Sequence, residues 1–204
     1  GGKCEEERNR MNFTRENALD LLKKHNKDEG HIKHALAVES SMKFFAEKMG
    51  GDVEKWGMAG LLHDIDWEEM QETPERHTIE GARWLSEEGY PEDIVRAVLA
   101  HGWGICSDVK PENDMEKVLF TIDELTGLVM TAALVRPSRS VQDLEVKSVK
   151  KKWKDKAFAK GVDRELIVKG AEMIPMPLDT VIEWVILAMR RIEPDLGLGS
   201  AAGA

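Results

Sequence analysis

The stretch Leu61-Leu62-His63-Asp64-Ile65-Asp66 sets a histidine directly against an aspartate at the close of an apolar run. Neutral imidazole and carboxylate are both metal ligands, so adjacent placement lets the two serve one ion. Inside an α-helix, neighbouring side chains point roughly 100° apart and do not converge. The pair therefore belongs at a helix end, where the backbone turns. A lone His-Asp dipeptide arises by chance in many chains, and its weight depends on where the other histidines fall.

Before the pair, Asp52 is expected to cap a helix carrying Trp56, Ala59, Gly60 and Leu62. Gly57 and Gly60 lower its propensity, which suits close helix packing or a distorted end. Further upstream, Thr14 caps a helix running to about Asn26, with Ala18, Leu21 and Leu22 inward. Gly30 then breaks the chain before a longer helix, from about His31 to Met49. Its stripe of Ile32, Ala35, Leu36, Val38, Met42, Phe45 and Met49 closes at Gly50-Gly51.

After the pair, Thr73-Pro74 reads as the N-cap and first residue of a helix holding His77, Ile79, Ala82, Trp84 and Leu85. Pro91 opens another that reaches His101 and stops at Gly102. A long apolar helix, about Met115 to Val135, encloses Asp123 and ends before Pro137. Basic Val141–Lys160, helical Asp163–Met173 and amphipathic Leu178–Ile192 complete the chain. Almost nothing alternates with period two, so the expected fold is all-α and single-domain, over residues 14–195. Residues 1–13 read as a polar lead-in, with Met11 as the expected natural start, and 196–204 as a flexible tail.

With 204 residues, 42% hydrophobic and 33% charged, the chain has enough apolar material for a real core. A net charge of -9 argues against a broad nucleic-acid footprint, so no polymer partner is expected. An anionic substrate would then need local positive charge, from metals or from lysines. Cys4 and Cys106 form no CxxC, which suits a reducing cytoplasm and argues against thiolate zinc. Leu128–Val135 and Val181–Met189 are too short to span a bilayer, and Gly1–Arg10 has no signal-peptide character, so a cytoplasmic protein without a membrane partner is expected.

Only six histidines are present: His25, His31, His34, His63, His77 and His101. Four of them fall on or at the ends of successive expected helices. The order His34, His63-Asp64, His77, His101, Asp123 resembles the HD-domain superfamily of metal-dependent phosphohydrolases, in particular the small single-domain HDIG-related group. The resemblance covers about Gly30 to Val135. It implies an HD-domain helical bundle in which His34, His63, Asp64 and Asp123 hold one divalent ion. His77 and His101 match the additional histidines of two-metal members, where the aspartate of the pair bridges; in a one-metal site they would instead meet substrate phosphate. The chemistry agrees, because a carboxylate such as Asp123 on an apolar helix is costly unless paired or metal-bound. The donor set favours Mn, Fe, Co, Ni or Zn over an oxygen-only magnesium site. His31, three residues from His34, competes for the first ligand position; His34 is preferred because the family's first histidine sits one turn into its helix.

The sequence also departs from the family. Three residues after the paired aspartate, some one-metal nucleotidases carry glutamate, and some two-metal phosphodiesterases and the inositol-type oxygenases carry lysine; here the residue is Trp67. Gly89-Tyr90-Pro91 matches a tripeptide of cyclic-di-GMP phosphodiesterases but lacks the paired histidines that precede it there, and a helix stop and start explain it. Besides Asp64, the local carboxylates Asp66 and Glu68 are the candidates for proton transfer. Seven lysines crowd Lys147–Lys160. They read either as a solvated helix face or as a phosphate-binding rim of Arg136, Lys151, Lys152 and Lys156. The resulting expectation is hydrolysis of a phosphomonoester or phosphodiester in a small molecule, a nucleotide among the candidates, by metal-activated water. A di-iron oxygenase and a non-catalytic nucleotide-binding regulatory domain are the alternatives, and a homodimer is compatible with either.

Overall fold

Side-chain oxygens open many of the helices. Thr14 accepts the Asn17 N–H and starts α1 (Arg15–His25), Asp28 accepts from His31 and starts α2 (Glu29–Met49), and Asp52 accepts from Lys55 and starts α3 (Val53–Leu62). The short α4 (Ile79–Glu87) and α5 (Glu92–His101) follow, the latter behind Pro91. Asn113 and Glu116 form a capping box at the head of α6 (Asp114–Leu134). After α7 (Val146–Lys154), Asp163 caps α8 (Arg164–Met173), and α9 (Leu178–Arg190) starts behind Pro177. The computed structural model describes residues 2–5, 7 and 13–199, and within that range no strand forms. No described helix is long and apolar enough to cross a membrane.

The two long helices, α2 and α6, form the centre. Val38, Met42 and Phe45 of α2 and Leu119, Ile122, Leu125 and Leu128 of α6 are fully buried, in one core with Val181, Ile182 and Val185 of α9. A smaller apolar cluster joins Leu22 of α1, Leu61 and Leu62 of α3, Ile65, Leu85 of α4 and Val98 of α5. Arg15 ties α1 to α2 through Glu39 at 2.8 Å.

The α2–α3 crossing is unusually tight at one point. A Cβ added to Gly60 would stand 2.9 Å from the Val38 carbonyl oxygen and 3.0 Å from the Glu39 Cα. Backbone meets backbone there, so no side chain can swing away to make room. That approach carries the end of α3, and with it His63, onto the flank of α2 that bears His34.

Several local expectations change. Gly30 does not break the chain, because Asp28 caps α2 and places Gly30 inside its first turn. Thr73-Pro74 starts only a 3-10 turn, Pro74–Arg76; Thr78 then takes a left-handed backbone (φ 70°), and the helix restarts at Ile79. His77 therefore lies on a junction, not within a helix. The basic segment is helical only over Val146–Lys154. The packed chain also runs past 196: Leu198 is buried, and the Gly199 N–H donates to the Arg139 carbonyl at 2.7 Å. Residues 200–204 and most of the expected lead-in, Met11 included, lie outside the described residues.

The crossing gives a direct test. Gly60→Ala should cost about 1–3 kcal/mol through enforced overpacking, read as a lower urea midpoint with an unchanged slope. An unaltered midpoint would mean that α2 and α3 separate freely.

Candidate metal centre

Two helix C-termini aim imidazoles at one place. His63 is the C-cap of α3 and fully buried; its Nδ1 lies 2.6 Å from the Gly60 carbonyl oxygen. His101 ends α5 and repeats the contact, with Nδ1 2.5 Å from the Val98 oxygen. A hydrogen bond from Nδ1–H to a carbonyl fixes the tautomer and leaves Nε2 to face the site. His34 comes from the second turn of α2 and Asp123 from the middle of α6.

These groups converge on Asp64. Its Oδ2 lies 3.1 Å from His63 Nε2 and 3.6 Å from His34 Nε2, while its Oδ1 lies 3.1 Å from His101 Nε2 and 3.2 Å from His77 Nε2. Asp123 Oδ1 closes the first set, 2.9 Å from His34 Nε2 and 3.0 Å from His63 Nε2. The ligand atoms of His34, His63, Asp64 and Asp123 all lie within 4.8 Å of one another, and so do those of Asp64, His77 and His101. His34 Nε2 and His63 Nε2 stand 3.3 Å apart. Two nitrogens about 2 Å from a shared tetrahedral ion take about that separation. The donors present thus fit a divalent transition ion.

Charge tells the same story. Burial works against a charged His34, but hydrogen bonds to Asp123 and Asp64 outweigh it and raise the imidazole to about 9. His77 is likewise opposed by burial and lifted by Asp64 and Asp66, to about 10. His63 is held well above its ordinary value by the two carboxylates despite burial. Asp64 and Asp123 lie well below the usual carboxylate range, burial and their mutual repulsion being overcome by the imidazoles. Protons here occupy the electrostatic role that a cation would take. On the cavity wall, burial and the Asp123 charge push Glu124 up to about 7.

The turn that follows His63 is clipped to the first turn of α2 and to the segment before it. His31 Nε2 lies 3.1 Å from the Asp64 carbonyl oxygen, and Asn26 Nδ2 donates to the Ile65 carbonyl at 2.8 Å. Burial lowers the His31 pKa, and its Nε2 is engaged by the Asp64 backbone, so the ring acts as a strut outside both candidate ligand clusters. Glu68 accepts the backbone N–H groups of Lys27 and Asp28. Asp66 is fully buried: Oδ1 lies 2.6 Å from His77 Nδ1, and Oδ2 accepts the Gly81 N–H at 2.8 Å. Neither Asp66 nor Glu68 is among the residues that line the cavity, and the carboxylate of each is engaged by the groups just named. Asp66 fixes the His77 ring, a candidate ligand, and Glu68 fastens a loop.

A cavity of about 500 Å³ opens over the ligands, its wall including His31, Trp67, Ile105, Glu124 and Val162. Arg136, Lys151, Lys152 and Lys156 do not line it. Arg136 bonds to Asp143 at 3.3 Å, and the Lys152 ammonium sits 5.0 Å from the Phe158 ring centroid. α7 turns Val149 into the core and so presents its lysines elsewhere, and α6 runs about 16 Å beyond Asp123 before it ends. Beyond the histidines and the two candidate-ligand aspartates, the sequence assigned no role to the wall residues. Trp67 registered there only as a departure, Glu124 had the signal of adjoining Asp123, and Ile105 and Val162 lie on loops without any.

The family model described as HD domain matches residues 31–150, more than half of the chain. Ribonuclease Y of Desulfotalea psychrophila is 29% identical over 147 residues, 70% of this chain and 27% of that protein. Ribonuclease Y of Oleidesulfovibrio alaskensis is 28% identical over 140 residues, 67% of this chain and 26% of that protein. Ribonuclease Y of Lawsonia intracellularis is 32% identical over 114 residues, 56% and 21% respectively. The chain spans about a quarter of the length of these curated relatives.

Two outcomes follow from the geometry. Asp66→Asn cannot accept from both His77 and the Gly81 N–H; if each cluster holds an ion, it should weaken binding at His77 and His101 about 10–100-fold and spare binding at His34, His63 and Asp123. Competition titration with a metal-binding dye reads both, and equal loss at the two positions would overturn the assignment. Because His34 and His77 keep protons up to about 9 and 10, ions must displace protons at neutral pH. Affinity should therefore rise with pH towards those values, with proton release measurable by calorimetry in two buffers; uptake without proton release would contradict it.

Proposed function

Since this chain belongs to the HD domain family, we propose that it is a metal-dependent phosphohydrolase working on a phosphate ester of a small molecule, with two divalent ions. One observation carries the reading: the two oxygens of Asp64 are divided between His34/His63 and His77/His101, the disposition of a carboxylate that bridges a cation pair. When bound, ions of the Mn, Fe, Co, Ni or Zn type supply the charge that polarises a phosphoryl oxygen and the acidity that makes water a nucleophile at neutral pH.

The chain's own residues set the conditions for this. His34, His63 and Asp123 fix one side of Asp64 and His77 and His101 the other, while Asp66 and two helix-end carbonyls hold the ring orientations. Val162, Trp67 and Ile105 give the cavity an apolar rim that limits water around the ester. The similarity to Ribonuclease Y makes RNA a further candidate source of phosphodiesters. A small ester is favoured over a polymer because, among the described residues, no Lys or Arg lines the cavity, and the chain carries a net charge of -9. A cytoplasmic location is part of the same proposal.

The test is phosphate release by anaerobically purified, metal-analysed protein, on a panel of phosphomonoesters, phosphodiesters and a short RNA. Small esters should be cleaved, and Asp64→Asn should lower both ion content and turnover, the latter by about a hundredfold or more. Oxygen consumption with Fe(II) and no phosphate release would replace this reading with a di-iron oxygenase.

A further inference from the structure

The cavity has a polar floor and an apolar mouth, and the mouth is not closed by the protein. Trp67 is 42% exposed and Ile105 71% exposed, although both line the space above the ligands. Large apolar side chains left in water beside a binding cavity are the groups that a ligand covers. Trp67 is also braced. Its backbone N–H donates to the Asp64 carbonyl at 3.0 Å, the same oxygen that His31 Nε2 approaches at 3.1 Å. The indole and the His31 imidazole stack, 5.0 Å between centroids and 21° between planes. One turn of backbone therefore carries both the shared carboxylate and a rigid aromatic face, so the distance from reacting phosphate to ring is set by the fold.

The charge of the wall restricts what else the ligand can carry. Besides the candidate ligands Asp64 and Asp123, the ionisable side chains of the wall include the carboxyls of Asp28 and Glu124 and, among the described residues, no Lys or Arg. One phosphate is compensated by the ions. A second or third would meet carboxyls with no Lys or Arg of the described wall to offset them.

We propose that Trp67 is a specificity-determining residue, stacking a flat ring of the substrate with Ile105 beside it, so that the centre selects esters bearing one phosphate and one aromatic ring. This rests on the reading of the centre as a phosphate-ester site, and it adds the class of ester. Stacking on an aromatic side chain adds about tenfold in affinity or more.

The experiment uses the full chain loaded with manganese and three probes: adenosine 5′-monophosphate, adenosine 5′-triphosphate and glycerol 1-phosphate. Affinities are measured by calorimetry in the cold, with phosphate release followed in parallel. The monophosphate should bind about tenfold more tightly than glycerol 1-phosphate, and more tightly than the triphosphate. Trp67→Ala should bring the ratio between the first two to within about twofold, and Trp67→Phe should restore most of it. Ile105→Ser, on an exposed loop outside the His63-Asp64 turn, should lower the same ratio about threefold. A wild-type ratio near one, a triphosphate that binds best, or a ratio that neither Trp67→Ala nor Ile105→Ser changes overturns the proposal. If the ratios hold while no ester releases phosphate, the hydrolase reading falls and the ring site stands. If glycerol 1-phosphate is cleaved and bound as well as the monophosphate, the reverse is true.

Discussion

Asp64 is an anion taken out of water and surrounded by four imidazole nitrogens, and the arrangement of the surrounding helices makes sense only around that charge. A buried carboxylate is tolerated when it is paired and hydrogen-bonded, and costly otherwise. Its partners come from the second turn of α2, the end of α3, the end of α5 and the junction before α4. None of these could shift far without leaving one oxygen of the carboxylate unmatched. Asp123, reaching in from α6, adds a second buried charge that the same imidazoles must balance. The apolar core sets how near the helices come; the carboxylates set which faces meet.

Much of this was legible because caps and periodicity are local. The helix end at His63, the stop at Gly102 and the isolated Asp123 could each be read from a few neighbouring residues, and the structure has His63, His101 and Asp123 at those positions. What stayed hidden depended on partners far along the chain. Asp66 and Glu68 looked equivalent, two carboxylates in one loop, yet one is engaged by His77 and Gly81 and the other by the backbone of Lys27 and Asp28. The junction at Thr78 replaced an expected helix for the same reason: the Gly81 N–H and the His77 ring are both held by Asp66. The lysine-rich stretch was visible as composition. The direction it faces was decided by Val149 turning into the core.

Ions and protons are exchangeable currencies at this centre. Without an ion, imidazoles whose folded pKa values lie above their unfolded ones stabilise the fold fully below about 6.5, and that contribution is lost as pH rises through about 9 and 10. Over the same range the nitrogens become available to a cation. The state that loses cohesion by deprotonation is thus the state best prepared to regain it from metal.

The Nδ1 contacts of His63 and His101 end on backbone oxygens, those of Gly60 and Val98, each three residues back at the end of a helix. No side chain supplies these acceptors, so a point substitution cannot delete them, and a comparison of residue identities cannot reveal them. Anyone grafting this centre onto another scaffold would find that copying the ligand residues is insufficient. The two helix termini would have to be transplanted as well, because the orienting groups are written in where the helices stop.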